Sequence, residues 1–499
     1  MTGSRQRRRW PTRKAKIARE PGGGDCLVDG NAERQGRAVM SRHWLTQRLQ
    51  SWGDRPALIW SNESWSFSQL CDGCDAWLSR LAQHGVKPGD TLAICGDYSP
   101  KLCALLLAAQ LNRNIIIPLA SATAPRWNRL MELAQVQFAV RFDGHDSWHV
   151  TNFDRAVSHP LLRELKERDA PGLVLFSSGS TGESKASVLD FNRLLAKFEA
   201  PRPAYRTLVF LLLDHIGGIN TLLYGLCHGG TIVTTRERSP DAVCAAIEAH
   251  RIQLLPTTPT FLRLLLIADA IRRYDLSSLE IVTYGTEPMP PSTLAVVREA
   301  LPRVRFKQTY GLSELGILPT QSRDSGSVWL KLGHAGFEHK VVDGVLWIRA
   351  RSAMLGYLNA PSPFDADGWF NTQDLVERDG EYIRILGRKS ELINVGGEKV
   401  HPTEIENVLL QIDNVKDVTV RGQPNPVTGE VVAAKITPLA PEDPDALRRR
   451  VRQFCRARLE RYKIPAVIDV VVEDHYGARF KKSRNPTSIE HPTGTDVGS

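Results

Sequence analysis

The chain has 499 residues, 42% apolar and 24% charged, with 64 Lys and Arg against 55 Asp and Glu and a net charge of +9. At about 150 residues per domain, this length predicts about three domains. Residues 1–39 hold Arg5, Arg7, Arg8, Arg9, Arg13, Lys14, Lys16, Arg19, Arg34 and Arg37 against Glu20, Asp25, Asp29 and Glu33, so +6 of the +9 lies in this arm and +3 in the other 460 residues.

A basic arm on a nearly balanced body argues against a nucleic-acid-binding fold, whose positive charge should spread over one face of the body. The longest apolar runs, such as Ala104–Ala109 and Leu208–Leu213, fall far short of the ~20 residues a membrane-crossing helix needs. The arm has no apolar stretch of secretory-signal length. Eight Cys in a chain this long are too few for a disulfide framework and predict a reducing cytoplasm. Met40 is a candidate alternative start, which makes residues 1–39 a dispensable, disordered arm.

From Met40 to Gly311, β-rich runs alternate with helical ones. Between Ser68, read as a cap, and Gly85, the apolar positions Leu70, Cys74, Trp77, Leu78 and Leu81 recur at helical spacing. Cys71 and Cys74, spaced as in a zinc or redox pair, therefore read as helix packing, since a zinc site needs four ligands. The strand Thr91–Cys95, the helix Pro100–Asn112 and the strand Ile115–Pro118 follow. His145 and His149 stand four apart but have no third ligand nearby and read as loop or surface residues. Further on come the helix Pro240–Ala249, the strand Gln253–Leu255, the helix Pro291–Leu301 and the strand Arg305–Thr309. Strands separated by helices of 10–15 residues imply crossovers and a mainly parallel sheet, with ligands at the carboxyl ends of the strands.

After residue 325, hairpins are predicted over Lys340–Arg349 and Leu375–Leu386, turning at Asp343-Gly344 and Asp379-Gly380. A small α+β region then comprises a helix near Thr403–Gln411, strands near Val415–Arg421 and Val431–Ile436, a basic helix Asp445–Leu459 and a strand Val467–Val472. The predicted class is α/β: a large N-terminal domain (40–388) of layered, mainly parallel sheets and helices with a β-rich subdomain, a small mobile α+β C-terminal domain (389–485), and a disordered tail (486–499).

The most informative stretch is Leu173-Val-Leu-Phe-Ser-Ser-Gly-Ser-Thr-Gly-Glu-Ser-Lys185. A buried-strand pattern runs into small hydroxyl and glycine residues. Gly179 and Gly182 let backbone N–H groups approach an anion, Ser177, Ser178, Ser180 and Thr181 add hydroxyl donors, and Lys185 adds charge. This is a phosphate cradle, but not the common P-loop, which needs Gly where Ser184 stands.

The segment resembles the phosphate-binding loop of the adenylate-forming enzymes, among them acyl-CoA synthetases, firefly luciferase and the adenylation domains of nonribosomal peptide synthetases. Further matches follow in order: Gly285-Thr-Glu-Pro-Met289, Tyr310-Gly-Leu-Ser-Glu314, Thr372-Gln-Asp374, and Gly387-Arg-Lys-Ser-Glu-Leu-Ile-Asn-Val-Gly-Gly-Glu398. The resemblance covers roughly residues 45–485 and implies ATP-dependent activation of a carboxylic acid as acyl-AMP, then transfer to a pantetheine thiol.

The resemblance also implies roles for individual residues. Glu314 and Thr181 would hold Mg²⁺, whose hard character suits carboxylate and hydroxyl oxygens. Gly285, Thr286 and Glu287 would flank the adenine, with Tyr310, Gly311 and Ser313 beside it. Asp374 would accept the ribose hydroxyls and Arg388 would add donors to the ribose or phosphates. His215 would shape or gate the acyl pocket, and Asp214 is a candidate anchor for a substrate amino group. One lysine, usually within a Gly-Lys pair, would reach the reacting carboxylate and α-phosphate. The register chosen puts it at Lys482, with Lys481 in the glycine's place. The small domain would turn about Ser390, bringing Gly396 and Gly397 beside the pantetheine arm.

Ser184, Ala186, Gln373 and Lys481 depart from the family pattern. They motivate a second reading, a catalytically weak nucleotide-binding protein of the same fold. The expected cofactors are ATP, Mg²⁺ and CoA, or the phosphopantetheine of an acyl or peptidyl carrier protein. CoA is preferred because the chain carries no carrier module.

Overall fold

The computed structural model describes residues 44–61, 63–178, 184–333, 336–473, 475–477 and 479–482. The basic arm and the C-terminal tail lie outside the described residues. Two seven-stranded sheets build the large domain. One runs in the order Arg305–Gln308, Ile281–Tyr284, Leu254–Thr257, Arg206–Val209, Thr231–Thr234, Pro56–Trp60, Glu63–Ser66 and is parallel except for its last strand. The other runs Gly356–Tyr357, Ser184–Asp190, Gly172–Ser178, Ile115–Leu119, Thr91–Cys95, Phe138–Phe142, Trp148–Asn152, with a parallel centre and antiparallel strands at both edges.

The helices Pro100–Leu111 and Ile216–Cys227 are buried on nearly every side, as their lack of a polar face demands. They share one apolar cluster with residues from both sheets, including Leu92, Ile116, Leu173 and Ile232.

Helix Phe67–Gln83 starts at Ser66, not at Ser68. The Ser66 side chain accepts from the Gln69 N–H while the Gln69 side chain accepts from the Ser66 N–H, a reciprocal cap that satisfies two helix-end donors. Its apolar face buries Leu70, Cys74, Trp77 and Leu81. His145 lies in a turn and His149 on a strand, so the pair shares no helix. Cys71, Cys74, Cys95, Cys103, Cys227, Cys244 and Cys455 are all buried and free. Burial pushes the Cys95, Cys227 and Cys244 thiols up to about 12.

A six-stranded antiparallel sheet follows, containing the hairpin strands Phe337–Val342 with Val345–Ala350 and Phe370–Asp379 with Tyr382–Arg388. The last sheet belongs to the small domain: Glu398–Val400, Ile393–Val395, Gly429–Pro438 and Val415–Asn425, with Val467–Val470 parallel to Gly429–Pro438. Helices Pro402–Leu409 and Pro444–Arg456 help to close its own apolar core, which includes Ile405, Val420, Ile436 and Val451.

Candidate active site

The strands on either side of the phosphate-cradle segment, Gly172–Ser178 and Ser184–Asp190, are antiparallel neighbours. Gly179, Ser180, Thr181 and Gly182 lie outside the described residues. Ser177 reaches a cavity of about 600 Å³, whose floor includes Leu254, Pro256, Ile281 and Thr283 from the parallel sheet. Gly285 and Thr286 follow directly at the carboxyl end of one of these strands, where an open α/β sheet leaves its crevice. A Cβ at Gly285 would meet Thr309 Oγ1 at 2.6 Å and the Thr309 carbonyl oxygen at 2.8 Å, so only glycine lets these chains approach so closely.

Gly311, Ser313, Glu314 and Arg388 also line the cavity. Glu314 Oε1 accepts from the Tyr357 hydroxyl at 2.7 Å, and the Lys185 ammonium sits 5.4 Å from the centre of the Tyr357 ring. Tyr357 therefore connects the lysine of the phosphate loop to the carboxylate expected to take the metal. Behind this layer Asp374 is 6% exposed. Its carboxylate accepts from Arg388 Nε at 2.7 Å and from the Tyr310 hydroxyl at 2.5 Å. Burial raises the Asp374 carboxyl above its ordinary value, against the pull of Arg388 and Tyr310. Asp374, itself bonded by Tyr310, thus holds Arg388 from behind, and Arg388 is the member that meets the cavity. Gln373, which stands where the family has glycine, takes a left-handed φ of +60°.

His215 caps helix Ile216–Cys227, its Nδ1 accepting from the Gly217 N–H at 3.0 Å. Desolvation in the cavity, with Arg479 and Lys481 adding repulsion, pushes its imidazole down to about 3. It is neutral across the working range and suited to shaping the pocket rather than shuttling protons. The unfolded chain binds this proton below about pH 6.5 and the folded one only near 3, so His215 supports folding fully above 6.5 and loses that support as pH falls toward 3. In His215→Asn the acid limb of the stability curve should flatten by up to ~1.4 kcal/mol per pH unit in that window. Denaturant melts at pH 7, 5.5 and 4.5 measure it, and parallel wild-type and variant curves would disprove it.

The two lysines near the C-terminus are placed opposite to expectation. Lys482 lies away from the cavity. Its Nζ stands 3.3 Å from Asp417 Oδ1 and 3.8 Å from Glu406 Oε2, and donates to the Val418 carbonyl at 2.9 Å. It lines a second cavity, of about 530 Å³, between helix Pro259–Ile267 and the small domain. Lys481 is the residue in the 600 Å³ cavity, together with His215, Thr286, Glu314 and Arg388. Loss of solvent, then Arg388, holds its ammonium below the ordinary value against Glu287, Glu391 and Asp374.

The cause is Phe480. Its φ is +48°, the left-handed conformation that favours glycine, and it turns the chain just before Lys481. Phe480 tolerates this because its ring packs on Phe210, Phe261 and Tyr476 with centroids 5.2, 5.1 and 5.6 Å away. Thr258 Oγ1 also donates to its carbonyl at 2.8 Å.

Other expected residues are likewise placed apart from the cavity. Glu287 accepts from the Thr260 N–H at 2.8 Å and the Lys482 N–H at 3.1 Å, holding the lysine segment. Asp214 Oδ2 accepts from Arg479 at 3.2 Å and Thr123 at 3.2 Å, so a guanidinium faces this carboxylate, while its buried Oδ1 has no hydrogen-bond partner among the described residues. Gly396 and Gly397, with φ of +61° and +97°, turn an exposed hairpin outside both cavities. Ser390 is exposed in the short turn Lys389–Glu391.

Residues 45–358 match the AMP-binding enzyme family and residues 404–481 its C-terminal domain. The chain is 28% identical over 478 residues to an indoleacetate–CoA ligase of Aromatoleum aromaticum, covering 85% of this chain and 92% of that one. It is 27% identical over 483 residues to a 2-succinylbenzoate–CoA ligase of Bacillus pumilus, covering 89% and 96%. The crystal structure of an anthranilate CoA ligase in complex with anthranoyl-AMP superposes with a TM-score of 0.76 at 19% identity, covering 90% of this chain and 95% of that one. With both halves of the family's architecture matched and the cavity lying between them, the chain belongs to the AMP-binding enzymes, within the AMP-forming acid–thiol ligases.

Proposed function

We propose that the protein joins a carboxylic acid to CoA in two steps, through an acyl-adenylate formed from ATP. The carrying observation is the position of Lys481: the last described segment of the chain delivers an ammonium into the large domain's cavity beside Arg388, Glu314 and Thr286. Adenylation brings two anions together, so the site must offset charge and align them. Arg388, held by Asp374, itself bonded by Tyr310, presents a pre-oriented guanidinium. Lys481 supplies a mobile donor for charge developing on the transferring oxygen. Glu314, fixed by Tyr357, offers a hard carboxylate suited to Mg²⁺, which would supply charge neutralisation at the phosphates, with Thr181 as the second oxygen ligand. The lack of a side chain at Gly285 leaves room for a flat base.

For the second step we propose rotation of the small domain about Ser390, which withdraws Lys481 and brings the Gly396-Gly397 turn to the cavity. CoA is preferred to a carrier protein as acceptor because the relatives above are CoA ligases along 92% and 96% of their lengths. The acids these relatives are named for, indoleacetate and 2-succinylbenzoate, support an acid with an aromatic or extended apolar body.

Pyrophosphate exchange with a panel of acids, without CoA, tests the first step. Exchange should depend on both an acid and Mg²⁺. Tight ATP·Mg²⁺ binding with no exchange from any acid would favour instead the catalytically weak nucleotide binder.

A further inference from the structure

The cavity carries more positive charge than an adenylate requires. Among the described residues, seven basic side chains line it, Lys197, Arg202, Arg305, Lys307, Arg388, Arg479 and Lys481, against the one carboxylate of Glu314. Three of the seven are accounted for at the carboxyl end of the strands: Arg388 by Asp374, Arg479 by Asp214, and Lys481 by the reacting centre. Among the described residues no carboxylate pairs with the other four.

These four lie together. Arg305 and Lys307 point from alternate positions of strand Arg305–Gln308 to the face shared by Ile281 and Thr283, their registered neighbours. Arg202 is close enough to repel both Lys197 and Lys307. Lys197 Nζ donates to Asn220 Oδ1 and to the Ile317 carbonyl oxygen, the latter at 2.9 Å. Two of its three donors are thereby used and one is left. Desolvation, then Arg202, lowers its ammonium to about 7. Lys197 is half-buried, while Arg202, Arg305 and Lys307 are exposed, so the four present their charge to an anion that enters the cavity beside them.

Two independent rulers give the distance from this cluster to the reacting end. At ~3.3 Å per strand residue, Lys307 and Arg305 lie ~7 and ~13 Å from Thr309, which packs on Gly285. At 1.5 Å per helix residue, Asn220, the partner of Lys197, lies ~7–8 Å along the axis from His215. The span between is walled by Phe210, Ile216, Leu211 and Tyr224, apolar and aromatic surface suited to a spacer.

We propose that Lys197, Arg202, Arg305 and Lys307 form an anion subsite that selects acids carrying a second anionic group about 7–13 Å from the carboxylate to be activated. This rests on the ligase reading above and adds the substrate class to it. The acid would lie along helix Ile216–Cys227, one end beside Lys481 and Thr286 and the distal anion at Lys197.

The test uses the full chain, with linear dicarboxylates from malonate to sebacate and their monomethyl esters. Calorimetry reads binding, and pyrophosphate exchange without CoA reads turnover. For members from about adipate upward, the diacid should bind, and be exchanged with higher kcat/KM, at least tenfold better than its monoester. Malonate and succinate, too short to reach, should show no such preference. Lys197→Met and the exposed Arg202→Gln should each reduce the preference to threefold or less, and Lys197→Arg should keep it; if Lys197→Met fails to fold, Arg202→Gln decides. Equal handling of diacids and monoesters, or a preference untouched by these variants, overturns the subsite while brisk exchange would leave the ligase reading intact. Selective diacid binding without exchange upholds the subsite and overturns the ligase reading. Variants that raise only the KM for CoA, with exchange constants unchanged, would assign the four cations to the phosphates of CoA and overturn the proposal.

Discussion

Lys481→Ala is expected to lower acyl-adenylate formation by about 10²–10³-fold, the loss typical of one well-placed donor to developing charge. Thioester formation from supplied acyl-AMP should be much less affected, because Lys481 is proposed to act only in the first step. Lys482→Ala should give the opposite pattern. Its side chain is 10% exposed and its ammonium lies between Glu406 and Asp417, with His475 bonded to Thr437 on the neighbouring strand. Removing it takes an ammonium away from two buried carboxylates, a loss that typically costs up to ~3–5 kcal/mol. Folded Lys482→Ala protein should therefore exchange pyrophosphate within a few-fold of wild type while melting at clearly lower denaturant. Single-turnover exchange and denaturant melts on both variants measure this. Strong exchange by Lys481→Ala with none by folded Lys482→Ala would return the catalytic role to Lys482.

The second large effect is expected at Gly218. A Cβ there would stand 2.0 Å from the Leu212 carbonyl oxygen, 2.8 Å from the Leu211 carbonyl oxygen and 2.5 Å from the Tyr98 hydroxyl. Two of these atoms are backbone and cannot rotate away, so Gly218→Ala must displace the start of helix Ile216–Cys227, and His215 with it. A cost of about 3 kcal/mol, the upper part of the overpacking range, is expected, with loss of exchange in whatever protein folds. The neighbouring Gly217 provides the comparison. Its Cβ would first meet Leu211 Cδ1 at 2.7 Å, the end of a flexible side chain, and then His215 Nδ1 at 3.1 Å. Gly217→Ala should be the milder change in both stability and exchange. Equal stabilities of Gly218→Ala and wild type would show that the helix start yields freely.

Most of the fold can be read from local pattern. The crossovers around Thr91–Cys95 and Pro240–His250 announce themselves by period and by caps, since Ser99 and Ser239 precede Pro at the first helical position. The hairpins at Asp343-Gly344 and Asp379-Gly380 follow from turn chemistry, with Asp343, Gly344 and Gly380 at positive φ. The site is legible where a motif is local: Ser177, Gly285, Thr286, Gly311, Ser313, Glu314, Arg388 and His215 do meet at one cavity.

It is not legible where a distant contact decides. Nothing in Arg479-Phe-Lys-Lys482 says that Phe480 will take a glycine-like backbone. That conformation is packed against Phe210, Phe261 and Thr258 from the large domain, and together with the Glu406 and Asp417 partners of Lys482 it sets which of two adjacent lysines enters the cavity. Lys197 and Arg202 match no motif, because their role comes from convergence with a strand a hundred residues further along. Asp214 was readable as a charge, but not its pairing with Arg479, 265 residues away.

The seven buried cysteines bear on how the acceptor can be identified. Thiol reagents attack the thiolate, and with Cys95, Cys227 and Cys244 shifted to about 12, almost none is present at neutral pH. The native protein should therefore consume little of a colorimetric disulfide reagent, at most Cys26 from outside the described residues reacting quickly. Disappearance of free thiol in a complete reaction then counts acceptor molecules directly, and CoA can be compared with a phosphopantetheinyl carrier in one assay with a nearly silent enzyme background.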